Sequence, residues 1–337
     1  MKDHYGRTID YVRISLTDRC NLRCIYCMPA EGVDQVSHTD ILSFDEILKF
    51  VRVAAQMGVR RVRLTGGEPL VRKGVVGLVR DLHAIEGIDD ISLTTNGILL
   101  AQYAPDLKAA GLRRVNISLD SLNPVQYKEI TRGGNLEDVL AGIDAALEAG
   151  FNPVKVNAVA VRSLNQDYLA FARMSIDRPL HMRFIEYMPV GDSSGVCGHG
   201  WGEEDVISCD EICERINEQA AAEGLPQLVP VEGSNKPDGG GPARYWQFPE
   251  AQGTVGFISP LSRHFCGECN RLRLTSTGQL RPCLFSDDEF DARAVLREGT
   301  EEDVHELIEK ALGAKPEEHT QGDHANATET NMNVIGG

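Results

Sequence analysis

The chain has 337 residues, enough for one large or two ordinary domains around a sizeable core, and its 42% hydrophobic and 25% charged content is ordinary for a soluble globular protein. A formal net charge of −16 argues against a nucleic-acid partner. No apolar run approaches the ~18 residues of a membrane span, and no signal-peptide core opens the chain. The expectation is a cytoplasmic protein whose nine cysteines are metal ligands and buried thiols, not disulfides. For a small anionic substrate, the cations of so acidic a chain would have to be gathered inside a cavity.

From residue 11 to about 188 the pattern offers six strands: Tyr11–Leu16, Arg61–Thr65, Ile91–Thr95, Arg113–Leu119, Val154–Val161 and Met182–Tyr187. Ser43-Phe44-Asp45-Glu46 is a capping box opening a helix to Met57, with Gly58 placed to stop it. Later helices stop near Ala110-Gly111 and Ala149-Gly150. Gly74 stands where an acidic residue is expected before the next helix. Strand–helix alternation at this spacing means a parallel sheet, doubly wound or curled into a barrel, with ligands at the carboxyl ends of its strands.

The motifs obey that rule. Cys20–Cys27 follows the first strand, and Thr65-Gly66-Gly67-Glu68-Pro69 closes the second. Thr94-Thr95-Asn96-Gly97 closes the third, Ser118 and Asp120 end the fourth, and Met188 ends the sixth. Beyond Gly191 a Gly/Ser-rich loop (191–202) precedes a capping box, Ser208-x2-Glu211, and a helix to about Ala222. Gly233–Gly241 reads as a flexible connector. Short β segments follow around Arg244–Phe248, Thr254–Ser259, Arg271–Thr275 and Gln279–Leu284. Residues 287–318 read as an acidic helical stretch, and the rest is a polar tail except for Val334-Ile335-Gly336-Gly337.

Two cysteine constellations carry chemistry. The first is Cys20-x3-Cys24-x2-Cys27; the second is Cys266-x2-Cys269 followed by Cys283 after thirteen residues. A 4Fe–4S cube held by three cysteines keeps one iron open for a non-protein ligand, so two such trios suggest an enzyme holding two small molecules. The second trio reads equally well as zinc, with His264 completing a Cys3His set. The first has no common zinc counterpart, and no further Cys or His follows until His38. Cys209 and Cys213 share a helix face but read as small buried residues, and Cys197 matches no ligand position.

The segment Asp18-Arg19-Cys20-Asn21-Leu22-Arg23-Cys24-Ile25-Tyr26-Cys27-Met28-Pro29 resembles the signature of the radical S-adenosylmethionine (SAM) enzymes. With Cys266-Gly267-Glu268-Cys269-Asn270-Arg271-Leu272-Arg273-Leu274 and Arg281-Pro282-Cys283-Leu284, nearly the whole chain resembles the GTP 3′,8-cyclases of molybdenum cofactor biosynthesis. The resemblance implies a partial (βα)6 TIM-like barrel with a C-terminal α+β extension carrying a second Fe–S cluster. It divides the chain at 1–222, 223–325 and a mobile tail, 326–337. It implies two 4Fe–4S clusters, held by Cys20, Cys24 and Cys27 and by Cys266, Cys269 and Cys283. At the first, SAM is cleaved to methionine and a 5′-deoxyadenosyl radical, with Tyr26, Gly67, Ser118 and Met188 binding the cofactor. At the second, GTP is bound and cyclised to (8S)-3′,8-cyclo-7,8-dihydroguanosine 5′-triphosphate. Arg13, Arg63, Thr94, Lys155, Arg271 and Arg273 are the substrate contacts implied, with Arg183 a further candidate. Arg13, Arg271 and Arg273 are the residues implied in catalysis.

Implied partners are a reductant such as flavodoxin or ferredoxin and a downstream cyclic pyranopterin monophosphate synthase, the enzyme itself being a monomer or homodimer. Strand periodicity supports part of the substrate set independently: an extended Cys269–Arg273 puts Cys269, Arg271 and Arg273 on one face, and Lys155 shares a face with Asn157. A tail ending in Gly336-Gly337, free of side chains, is expected to enter the GTP pocket. Two other readings are a radical maturase acting on peptides, for which the ten residues before the first strand leave no docking domain, and a zinc-bearing interaction protein.

Overall fold

Strand alternation sets the architecture. In β4 (Arg114–Ser118), Val115 and Ile117 are buried among hydrophobic neighbours, while Arg114, Asn116 and Ser118 point the other way. The same division separates Val12 and Ile14 from Tyr11 and Arg13 in β1 (Tyr11–Ser15), and Val62 and Leu64 from Arg63 in β2 (Arg61–Thr65). One face of the sheet is therefore apolar and covered by helices; the other is polar and cationic. The computed structural model describes residues 1–32, 36–37, 39–188, 202–233, 236–239 and 241–318.

The covering helices are α1 (Phe44–Gln56), α2 (Val75–His83), α3 (Leu100–Ala109), α4 (Pro124–Thr131), α5 (Leu136–Glu148) and α6 (Tyr168–Arg173). They alternate with β1, β2, β3 (Asp90–Thr95), β4, β5 (Val154–Ala160) and β6 (Leu180–Glu186), neighbours in that order and all parallel. Helix α1 forms where expected: Ser43 and Glu46 close a full capping box, and Ile47, Leu48, Phe50, Val51 and Ala54 are buried. Gly74 has a physical reason in place of the expected acid. It caps α2 at φ +87°, a conformation costly for side-chain-bearing residues, and an added Cβ would lie 3.2 Å from the Phe44 ring.

The C-terminal part lengthens the same sheet at both edges. After α7 (Cys209–Ala222) and the short β7 (Val229–Pro230) come β8 (Arg244–Gln247) and β9 (Thr254–Ile258), and β9 pairs in parallel with β6. Strand β10 (Arg271–Leu274) crosses to the opposite edge and pairs in parallel with β1, so that Arg273 faces Arg13 in register. Strands β11 (Gln279–Arg281) and β12 (Phe290–Asp291) continue that edge. The described residues thus form one twelve-stranded sheet.

Three local expectations are corrected. Ser208 caps α7 by accepting from Glu211 N, but the reciprocal bond is absent because the Glu211 carboxylate is taken by Arg162 and Arg215. The strand expected over Gln279–Leu284 ends at Arg281, since Pro282 has no N–H to give to a ladder. The acidic stretch 287–318 is two helices, α8 (Ala292–Glu298) and α9 (Glu301–Gly313), broken at Gly299 and restarted by a Thr300–Asp303 capping box. Cys209 is buried in the core, as a small apolar residue would be.

Candidate active site

One cavity is lined by residues of β1 to β6, β9 and β10, which requires the sheet to curl around it. Both cysteine trios open onto it. Cys20, Cys24 and Cys27 line one part with Tyr26, Gly67, Ser118 and Met188; Cys266, Cys269 and Cys283 line another with Phe265, Arg271 and Arg273. Arg13, Arg63, Thr94 and Arg183 line the same cavity. Lys155 sits beside this set, within the field of Arg183, Arg114 and Arg63.

The loop bearing the first trio is fastened at several points. Arg72 stacks over the Phe44 ring and donates to Leu16 O at 2.5 Å and Leu42 O at 2.6 Å, joining the two ends of the loop. The Gly66-Gly67 turn lies directly on it: Gly67 N donates to Thr17 O at 2.7 Å, and Glu68 N to Arg19 O at 2.8 Å. A Cβ on Gly67 would fall 2.3 Å from Arg19 O, so this close approach admits glycine alone. Glu68 is fully buried and accepts from Thr95 Oγ1, Leu70 N and Asn96 N; burial raises its pKa to about 7 despite these bonds.

Tyr26 donates its hydroxyl to Asp120 Oδ2 at 2.5 Å, and burial lifts the Asp120 carboxyl to about 6. The surroundings of this trio are anionic. Cys24 is pushed well above the usual thiol range, first by burial and then by Asp120 and its sister cysteines, and Cys20 is raised by burial with Glu68 adding to it. Cys20 Sγ accepts from Leu22 N at 3.4 Å and from Asn96 Nδ2 at 3.8 Å, contacts suited to a thiolate.

The second trio stands among cations. Arg13 and Arg273 are adjacent on paired strands, and burial is the main reason both guanidiniums are lowered, Arg273 to about 10. Arg63 is likewise lowered to about 10, chiefly by burial. Lys155 falls to about 6 through burial and the charges of Arg183, Arg114 and Arg63, and its ammonium donates to Asp238 O at 2.6 Å. Burial opposes ionisation of Tyr11, but Arg63, Arg13, Arg271 and Arg114 outweigh it and lower the phenol. Such crowding of like charge is tolerable when an anion enters. Polar atoms await one: Tyr11 Oη, Thr94 Oγ1 and Arg271 Nε are buried without a hydrogen-bond partner.

Each trio supplies three free thiols, the donor number of a cube with one open iron. Among the described residues, no group of three or more His, Cys, Asp or Glu is close enough to share a single metal ion. Three cysteines on different corners of a cube need no such convergence. His264, the candidate fourth zinc ligand, lies 3.5 Å from Glu318.

Several participants escaped the sequence reading. Arg114 is buried, ion-paired with Asp90 and donating to Gly239 O at 3.3 Å. Asn116 and Asn157 accept from Arg183 at 2.7 and 2.8 Å and so hold its guanidinium. Counting back by twos from Ser118 would have found Asn116 and Arg114. Gly233–Gly241, expected to be a flexible connector, is held at Asp238 and Gly239 by Lys155, Arg113 and Arg114. Cys197, loop 191–201 and the Gly336-Gly337 tail lie outside the described residues.

Comparison with known proteins decides the family. The Radical SAM superfamily pattern matches residues 14–174, and Molybdenum Cofactor Synthesis C matches residues 180–321. The protein named GTP 3′,8-cyclase of Pelotomaculum thermopropionicum is 51% identical over 321 residues, 95% of either chain. That of Petrotoga mobilis is 48% identical over 338 residues, 100% of both. The chain belongs to the GTP 3′,8-cyclase family. It is a radical SAM enzyme of molybdenum cofactor biosynthesis, with SAM and two 4Fe–4S clusters as cofactors and GTP as substrate. Among solved structures, Streptococcus suis SuiB bound to its precursor peptide SuiA matches with a TM-score of 0.58 at 14% identity. The match covers 89% of this chain and 65% of SuiB, so the chain spans just under two thirds of that structure. The structure of anSMEcpe with bound AdoMet matches with a TM-score of 0.53 at 16% identity over 90% of this chain and 81% of its own. Both likenesses concern the fold. No helix among the described residues is long and apolar enough to cross a membrane.

Proposed function

We propose that Cys20, Cys24 and Cys27 hold the cluster that binds SAM, and that Cys266, Cys269 and Cys283 hold the one that binds GTP. The observation that carries this division is that both trios open onto one cavity while the cations crowd around the second. When bound, the cofactors supply one-electron cleavage of SAM and removal of the 3′ hydrogen of GTP. The chain's own residues do the rest. Gly67 offers close backbone approach, Tyr26 is fixed by Asp120, and Ser118 and Met188 complete the cofactor's pocket. Arg13, Arg63, Lys155 and Arg183 neutralise the triphosphate and, with Thr94, orient it and the ribose. Arg271 and Arg273, on the strand that follows Cys269, hold the reacting sugar and base, with Arg13 in register with Arg273.

The finer setting follows from the same reading. The electron comes from a flavodoxin or ferredoxin, and the product passes to cyclic pyranopterin monophosphate synthase. The enzyme works in the cytoplasm as a monomer or homodimer. Residues 1–222 act as the SAM barrel, 223–325 as the second-cluster unit, and 326–337 as a substrate-reaching tail.

Anaerobic reconstitution tests the core of the proposal. About eight irons per chain and no zinc, with GTP- and SAM-dependent formation of 5′-deoxyadenosine and the 3′,8-cyclic nucleotide, are expected. About four irons, or zinc at the second trio, would defeat it.

A further inference from the structure

Lys315 is a buried cation with no part in the site so far. It follows α9 and is 3% exposed, and no carboxylate lies in ion-pair range of it among the described residues. Burying an ammonium is costly unless its protons are engaged. Here two are engaged, both by the segments of the second trio. Lys315 Nζ donates to Arg271 O at 3.0 Å and to Pro282 O at 2.6 Å. Arg271 lies two residues after Cys269, and Pro282 immediately precedes Cys283. The ammonium thus clasps the two chain segments that supply these cysteines.

The segment carrying Lys315 is itself held in place. Arg7 donates to Pro316 O at 2.6 Å, Glu317 O at 2.7 Å and Cys266 O at 2.8 Å, and pairs with Asp3 at 2.6 Å. The third cysteine segment is therefore tied to the same strap. Burial opposes ionisation of Cys269, yet the charges of Lys315 and Arg271 outweigh it and lower the thiol. At the first trio Arg23 donates to Cys20 O at 2.7 Å and Leu22 O at 2.9 Å, yet Cys24 is raised, by burial first and then by Asp120.

We propose that Lys315 is a positioning residue for the second cluster, holding the Cys269 and Cys283 segments together and raising the cluster's reduction potential through its buried charge beside them. Reduction adds negative charge to a cluster, and a fixed buried cation beside its ligand segments stabilises the reduced form. The inference rests on the assignment of Cys266, Cys269 and Cys283 as ligands.

The test isolates the second cluster by replacing Cys20, Cys24 and Cys27 with Ala. About four irons per chain in that background verify the ligand assignment separately; their absence would condemn the assignment rather than Lys315. EPR-monitored redox titration is then compared for Lys315→Gln, Lys315→Met and Lys315→Arg. Gln and Met should shift the equilibrium towards the oxidised cluster at least tenfold, about 59 mV lower for one electron, while Arg stays near the parent. Loss of iron in Gln and Met but not in Arg, with the fold retained by circular dichroism, would also support a cationic clasp. Retained iron with an unshifted potential in Gln and Met would overturn the proposal, and so would loss of iron in all three.

Discussion

The two cysteine trios open onto one cavity but stand in opposite fields. Around Cys20, Cys24 and Cys27, burial and then the carboxylates of Asp120 and Glu68 disfavour thiol ionisation, with Arg23 offsetting this only in part at Cys20. Around Cys266, Cys269 and Cys283 lie Arg271, Arg273 and Lys315, and Cys269 is drawn towards the thiolate. The ligand chemistry accounts for the difference. SAM carries a sulfonium and an amino group, so an anionic neighbourhood suits it. GTP is a polyanion, and a chain with a net charge of −16 must concentrate its cations where that polyanion sits. A low-potential cluster is also favoured by negative surroundings, and a higher-potential one by positive surroundings.

The sharpest way to break the comparison is Cys24→Ala. It should abolish formation of 5′-deoxyadenosine while leaving about four irons per chain, because the two trios come from separate segments. Retained SAM cleavage would remove the first trio from radical generation.

Next in size is Arg271→Ala or Arg273→Ala, expected to lower cyclisation by about 100-fold while uncoupled SAM cleavage changes far less. Lysine at either position should restore activity only in part, since it offers a point charge without the paired donors of guanidinium. Equal loss of both activities would place these residues in folding or in the cofactor site.

Lys155 offers a test by pH. Its pKa of about 6 makes it neutral at pH 8 in the substrate-free protein, and a triphosphate beside it restores the charge. GTP binding at pH 8 should therefore take up close to one proton, measured by calorimetry in buffers of different ionisation heat. Uptake should shrink towards pH 5 and largely disappear in Lys155→Met. The sign for stability runs the same way: the unfolded chain keeps this proton up to about 10.5, so the substrate-free fold gains stability from Lys155 as pH rises through that window from about 6.

The smallest effect belongs to Asn96→Leu. It removes a 3.8 Å N–H···S contact to Cys20 and should shift the first cluster's redox equilibrium by less than about threefold. A shift as large as that expected for Lys315→Gln would erase the electrostatic contrast between the sites.

Much of this molecule was legible in its sequence because the signals are local. Period-two alternation marked all six barrel strands to within two residues, and the Ser43–Glu46 box and Gly58 marked the ends of α1. The trios are recognisable from spacing, and alternation alone put Cys269, Arg271 and Arg273 on one face, where the structure has them lining the cavity. Sequence left open whether the sheet was doubly wound or curled, and it could not show that β9 and β10 extend opposite edges. Arg13 meets Arg273 across some 260 residues of chain, and no local period carries such a register. Lys315 was invisible for the same reason. In an acidic helical stretch it reads as one more solvated charge, and only the packing of α9 and the Arg7-held strap turns it inward onto the backbone of Arg271 and Pro282. Local chemistry chose the ligands; the fields around them come from residues that only long-range pairing and burial bring together.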